Sequence, residues 1–279
     1  MENVFMRFPG GAYKVVTLSY DDNVEEDVRL VEIMKKHGLK GTFNINSGQF
    51  SPEGSVGDVG KHGHRRMTVS KSVALHKDSG MEIACHGVTH PFLEQLPPSM
   101  CVQEVLQDRK NLEAIYGGFV RGLAYPFGTY SEDVVNVLKA CGIVYARTTV
   151  STMGFDMPMD WLRLHGTCHH ANPELMNLAK KFVEDRRKWR PMMFYLWGHS
   201  YEFEDNHNWH IMEDFASYIG GREDIWYATN IEIYDYVHAY RQLVFSADGR
   251  KVYNPTNTEL YIRTARGTFS ILPGETKEI

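Results

Sequence analysis

Asp21 and Asp22 stand side by side in the run Leu18-Ser19-Tyr20-Asp21-Asp22-Asn23, where a short apolar stretch ends. Two adjacent carboxylates buried together either share a proton or need a cation, and a divalent ion on one leaves the other available as a base. The competing reading is that Asp21, Asp22 and Asn23 cap a following helix. His86 and His90 lie four apart in His86-Gly87-Val88-Thr89-His90, a spacing that suits two ligands of one metal. Among 13 histidines about half a pair at that spacing is expected by chance, and His165 with His169 is a second such pair.

Two further groups could handle protons or charge. In Ala124-Tyr125-Pro126-Phe127-Gly128 the proline and glycine fix a tight turn whose backbone N–H groups could form an oxyanion hole, or a plain turn. His199, in Leu196-Trp197-Gly198-His199-Ser200, sits beside an apolar wall and can act as a general acid near neutral pH. A lone histidine is otherwise a surface or satisfied core residue.

These groups need elements that bring them together. Apolar runs rich in β-branched and aromatic residues recur at 14–20, 40–45, 81–85, 121–125, 143–149, 161–165, 192–197 and 225–229. Most alternate with helical patterns, as a parallel sheet covered by helices requires. Helices are expected after the cap Asn23, with Val24, Val28, Val31 and Met34 as the apolar face, and over 99–116, 131–141, from Pro173, and over 231–242. From 243 onward the texture turns to short β-like runs with turns such as Asp248-Gly249. The expected architecture is α/β: a distorted or incomplete β/α barrel over 1–242, and a small C-terminal β appendage over 243–279. In such a barrel the functional groups collect at the C-terminal ends of the strands.

The composition narrows the function classes. A chain of 279 residues, 43% hydrophobic, can bury a sizeable core. A net charge of -5 without long runs of one sign gives no reason to expect nucleic acid or an anionic membrane as partner. Cys85, Cys101, Cys141 and Cys168 form no C-x-x-C pair, so reduced buried thiols are expected. No stretch reaches the ~18 apolar residues of a membrane span and none reads as a secretory signal, so the expected location is cytoplasmic.

Taken in order, the motifs resemble those of the polysaccharide deacetylase family, the NodB-homology group of carbohydrate esterases (family 4). The family's T-F-D-D-G corresponds to Ser19 through Asn23, its H-[ST]-x-x-H to His86 through His90 with Gly87 at the Ser/Thr position, its R-x-P-[FY] to Ala124 through Phe127, and its late Leu/His motif to Leu196 and His199. The resemblance implies that Asp22, His86 and His90 hold a divalent metal ion, zinc or another transition metal such as cobalt. It implies Asp21 as the base, His199 as the acid, and the Phe127 N–H as an oxyanion donor. Tyr125, Leu196 and Trp197 would complete the substrate pocket. The substrate would be an acetylated carbohydrate losing an N- or O-acetyl group. Two rivals remain: a related C–N hydrolase on a cyclic amide or ureide, and a non-catalytic carbohydrate-binding protein on the same fold.

Three departures bear on this reading. Asn23 replaces a glycine, and asparagine tolerates the left-handed conformation. Ala124 stands where the family's arginine steadies the base, with Arg121, Arg147 or Arg163 as substitutes. Asp156-Met157-Pro158-Met159-Asp160-Trp161 is one residue longer than the family's D-x-x-D-W, and a capping loop is the simpler account. His165, Cys168, His169 and His170 form a second polar cluster for substrate, a second ion or plain surface. The glycine-rich segment 47–68, with His62, His64, Arg65 and Arg66, has the length of a binding loop.

Overall fold

In the computed structural model, residues 4–55, 64–187 and 189–279 are described below. Parallel strands Lys14–Asp21, Gly41–Ile45, Glu82–Cys85, Gly122–Ala124, Tyr145–Ser151 and Leu164–Gly166 follow one another across the central sheet. On its other side Lys14–Asp21 pairs with Met192–Gly198, which pairs with Cys168–His169, while Ile225–Tyr227 joins Lys14–Asp21 at its start. The segment 164–169 thus contributes both ends of the sheet: its first half pairs with Tyr145–Ser151 and its second with Met192–Gly198. The result is a distorted barrel rather than a regularly closed one.

The runs read as strands are strands, with one shift: Trp161–Arg163 is a 3-10 turn capped by Asp160, and the strand begins at Leu164. The full burial of Lys14–Asp21, all eight residues, explains its near-continuous apolar character, since helices cover one face and the barrel interior the other. Pro98–Tyr116 ends at Gly117 with φ 77°, Glu132–Ala140 is capped by Ser131, and Asn230–Tyr240 opens with a Thr229/Glu232 capping box.

The first helix differs from expectation. It spans Asp27–Lys36, and Asn23 does not cap it. Asp22 and Asn23 instead take positive φ values of 86° and 54°, turning the chain out of the strand. Arg66 and Met67 hold that turn: Val24 bridges to Arg66, and the Met67 N–H donates to the Asn23 carbonyl at 2.9 Å. Of the expected apolar face, Val24, Val31 and Met34 are buried, together with Leu30 and Ile33. Helices Val69–His76, Tyr201–Asp205 and His210–Ile219 were not anticipated.

The C-terminal strands form two three-stranded antiparallel sheets. One contains Val244–Phe245, Lys251–Tyr253 and Thr276–Glu278; the other adds the N-terminal strand Phe5–Arg7 to the hairpin of Leu260–Thr264 and Gly267–Ile271. Val252, Leu260, Ile262 and Ile271 pack in one core with Phe8, Val15, Tyr195 and Tyr236, so the appendage lies on its own barrel. The four cysteines are buried free thiols. Among the described residues no helix is long and apolar enough to cross a membrane.

Candidate active site

The C-terminal ends of the strands enclose a cavity of about 360 Å³ lined by Asp21, Asp22, His86, His90, Arg147 and His199, with Tyr125, Phe127, Trp197 and Tyr201 among its walls. A larger cavity, about 730 Å³, opens near the strands' opposite ends beside Lys40, His76 and Glu82, and holds none of the motif residues.

Asp22, His86 and His90 each present a ligand atom within 4.8 Å of the others. His86 Nδ1 lies 2.8 Å from the Ala124 carbonyl, an acceptor, so Nδ1 carries the proton and Nε2 keeps its lone pair. Burial keeps His86 and His90 from charging, with the His90 pKa lowered to about 4. For Asp22, burial is outweighed by Arg66 and the neighbouring histidines, which hold its carboxyl below the usual range. An ionised carboxylate and neutral imidazoles are the protonation states a divalent ion requires, so these residues fit one. The Arg66 guanidinium also reaches this place: Nη1 lies 2.9 Å from Asp22 Oδ1 and donates to the Asp22 carbonyl.

Asp21 is 2% exposed. Its Oδ1 accepts from Asn44 Nδ2 at 2.8 Å, and its Oδ2 accepts from Arg147 Nη2. His86 Nε2 and His199 Nε2 stand 3.9 and 3.6 Å from the same Oδ2. Burial favours the protonated acid, but Arg147, then His86 and His199, lower the pKa below its ordinary value. Of the three arginines weighed for the Ala124 vacancy, Arg147 is the one that reaches Asp21; Arg121 pairs with Asp235, and Arg163 with Asp160 and Glu132.

Phe127 has φ 59° and ψ 0°, and the turn is closed by the Gly128 N–H donating to the Tyr125 carbonyl at 2.9 Å. Gly128 is required: at its φ of 76° an added Cβ would lie 2.2 Å from Thr149 Oγ1. Tyr125 is buried, its hydroxyl on the Leu162 carbonyl. Phe127 is half-exposed and stacks on Phe92 at 3.8 Å between ring centroids. Trp197 forms a wall, with the Arg147 guanidinium 4.6 Å above its ring. Leu196 is not part of the cavity; strand alternation turns it into the core beside Leu18 and Cys168.

His199 Nδ1 lies 2.7 Å from Glu202 Oε1. Burial opposes charging of the ring, yet Glu202, Asp21 and Asp22 together raise its pKa above the ordinary 6.5. The second histidine cluster divides. His165 bonds Thr148, Cys168 is core, and His169 and His170 gather with Glu202 as a second trio of ligand-type groups. Asp156 pairs with Arg190 and Asp160 caps its turn, in line with the capping account. In the loop cluster, His64 stacks on Tyr201 at 3.5 Å, whereas His62 lies outside the described residues.

A family model described as polysaccharide deacetylase matches residues 8–146. Chitooligosaccharide deacetylase of Azorhizobium caulinodans is 24% identical over 175 residues, 62% of this chain and 69% of that protein. The Bacillus subtilis relative YxkH is 22% identical over 138 residues, 49% of this chain, and the match spans only 45% of its own length. A family 4 carbohydrate esterase from Streptomyces lividans, solved with acetate, superimposes with a TM-score of 0.51 at 14% identity, covering 77% of this chain and 92% of that one. A Mycobacterium smegmatis structure classed with the polysaccharide deacetylases reaches 0.59 at 15% identity, covering 86% and 96%. At these identities the two structures speak for the fold.

Proposed function

The chain belongs to the polysaccharide deacetylase family, and from that premise we propose that it is a metal-dependent hydrolase removing N- or O-acetyl groups from a carbohydrate. The observation that carries this reading is the convergence on Asp21 Oδ2 of Arg147, His86 and His199, beside the trio Asp22, His86 and His90. A buried carboxylate kept ionised next to a ligand set for a cation has the makings of a base for an attacking water.

A divalent ion held by Asp22, His86 and His90, zinc or another transition metal, supplies Lewis acidity toward the acetyl carbonyl and the attacking water. Asp21 takes the proton from that water, and Arg147 keeps Asp21 ionised and oriented. The Phe127 N–H donates to the oxygen that gains negative charge at the tetrahedral stage. His199 gives a proton to the departing amine or alcohol. Tyr125 and Trp197 wall the pocket and exclude water around the acetyl group.

The binding-only rival rested on the vacancy at Ala124, and Arg147 weakens it by pairing with Asp21. The deciding experiment is acetate release from a panel of N- and O-acetylated sugars, chitooligosaccharides included, with zinc or cobalt added. Release from at least one class is expected. A protein that binds the ion but releases acetate from none overturns the proposal, and ring opening of a cyclic amide by that protein would establish the rival hydrolase.

A further inference from the structure

His169, His170 and Glu202 have the composition of a second cation site, with ligand atoms within 4.8 Å of one another. Their hydrogen-bonding surroundings point elsewhere. His169 Nδ1 accepts the Ala171 N–H at 3.2 Å, so the ring's proton must sit on Nε2, which faces Glu202 Oε2 at 3.5 Å. His170 Nδ1 is buried without a partner and is packed against Gly198, where an added Cβ would collide with it. A proton there would be a buried unsatisfied donor, which costs about 1–3 kcal/mol. His170 therefore also carries its proton on Nε2, 3.0 Å from Glu202 Oε2. An ion at these Nε2 atoms would drive both protons to the Nδ1 side, against an N–H in one ring and into a partnerless pocket in the other. His86 has the opposite arrangement, with a carbonyl at Nδ1 and Nε2 left for a ligand.

We propose that Glu202 is a positioning residue, an acceptor for three imidazole N–H groups, which fixes His199 with its proton on Nδ1 and its Nε2 turned to the reacting atoms. His169 and His170 hold Glu202 Oε2, leaving Oε1 for His199 Nδ1 at 2.7 Å. The other groups around His199 are Asp21 and Asp22 across the cavity and the Tyr201, Trp197 and His169 rings, with centroids 5.2, 6.2 and 6.2 Å away. With Glu202 ionised and anchored from behind, His199 can take a proton and aim it from Nε2 at the leaving group. This inference rests on the reading of His199 as the acid of the proposed deacetylation.

The test compares Glu202→Gln and Glu202→Asp with the wild type on two substrates: an N-acetylated chitooligosaccharide, whose amine needs a proton to leave, and an aryl acetate, whose phenolate does not. In Glu202→Gln, kcat on the amide should fall about 10²-fold or more with KM within about threefold. Loss on the aryl ester should be under about tenfold, and Glu202→Asp should recover part of the amide rate. Zinc content should stay at its wild-type stoichiometry in both variants. Equal losses on both substrates, unchanged amide turnover, or loss of a second bound zinc in Glu202→Gln would each overturn the inference. If wild type hydrolyses neither substrate, the proposed function fails by itself. The ¹⁵N spectrum of His199 then still decides: the Nδ1 resonance must move in Glu202→Gln, and an unmoved one overturns the tautomer assignment.

Discussion

Arg147, on the strand Tyr145–Ser151, donates to the same Asp21 carboxylate oxygen that faces His86 and His199, and it does so from the strand next to the one carrying Ala124. A guanidinium delivered from the neighbouring strand supplies the charge that the Ala124 position lacks. Both partners are almost wholly buried, so each would be left an uncompensated charge if the other were removed.

Arg147→Ala should therefore cost about 3–5 kcal/mol of stability, and it should raise the Asp21 pKa because the nearest cation is gone. Acetate release at neutral pH should drop about 10²-fold, and the acidic limb of the kcat/KM profile should move upward. Arg147→Lys should keep part of the charge effect and lose the fork geometry. Thermal unfolding alongside the pH profile checks both; an acidic limb that stays in place in a folded Arg147→Ala protein argues against the role given to this pair.

The metal assignment separates two histidine clusters that look alike as sequence. His86→Ala should abolish zinc binding measured by calorimetry, since the Ala124 carbonyl orients that ring for coordination through Nε2. His169→Ala should leave zinc binding within about threefold of wild type. Retained binding in His86→Ala with loss in His169→Ala would reverse the assignment.

The legible part of the site was what lies on strand ends in short motifs: Asp21, Asp22, His86, His90, the Pro126 turn and His199 all face one cavity. Long-range partners were harder to read, because nothing local marks them. Arg147 was one of three arginines with no sequence feature to choose among them, and it was decided by which side of its strand faces Asp21. Glu202 stands three residues after His199 in the sequence, but it takes the turn into the helix Tyr201–Asp205, with the Glu202 N–H donating to the His199 carbonyl at 3.2 Å, to make that spacing a contact. Leu196 was carried into the pocket by its motif position, and strand alternation places it in the core instead. The strand Phe5–Arg7 lacked any local signal because its partner lies more than 250 residues away, at Tyr261–Arg263.

Arg66 brings a positive charge to the carboxylate read as a metal ligand. A divalent ion on Asp22 and the guanidinium, about 5 Å apart at an effective dielectric near 20, would repel by about 7 kcal/mol, an upper bound that solvent and the ion's own carboxylate ligand reduce. Arg66→Met should bind zinc roughly tenfold more tightly. The metal-free variant should also be less stable, since Asp22 would be left without its cation, so the rise in Tm on adding zinc should exceed that of wild type. Weaker zinc binding in Arg66→Met would show instead that Arg66 is needed to shape the Asp22 turn.

Asp27 gives a pH signature independent of catalysis. Its fully buried carboxyl accepts from Ser200 Oγ at 2.6 Å and from the Val24 N–H at 3.1 Å, tying the Asp22 turn to the segment after His199. Burial raises its pKa from 3.8 to about 8, with Asp22 and Glu26 adding repulsion and the two hydrogen bonds opposing. The folded chain thus holds this proton over a window in which the unfolded chain has released it. Its stabilising contribution is full below pH 3.8 and is lost as pH rises toward 8. Asp27→Asn replaces the protonated form with a neutral group that can still accept from Val24 and can donate to Ser200, so it should remove this share of the slope. Wild type and variant should have similar Tm values near pH 4, and the variant should melt higher at pH 8, by about 2–4 °C per kcal/mol in a chain of this length. Parallel Tm curves for the two proteins across that range would mean that Asp27 does not carry the proton.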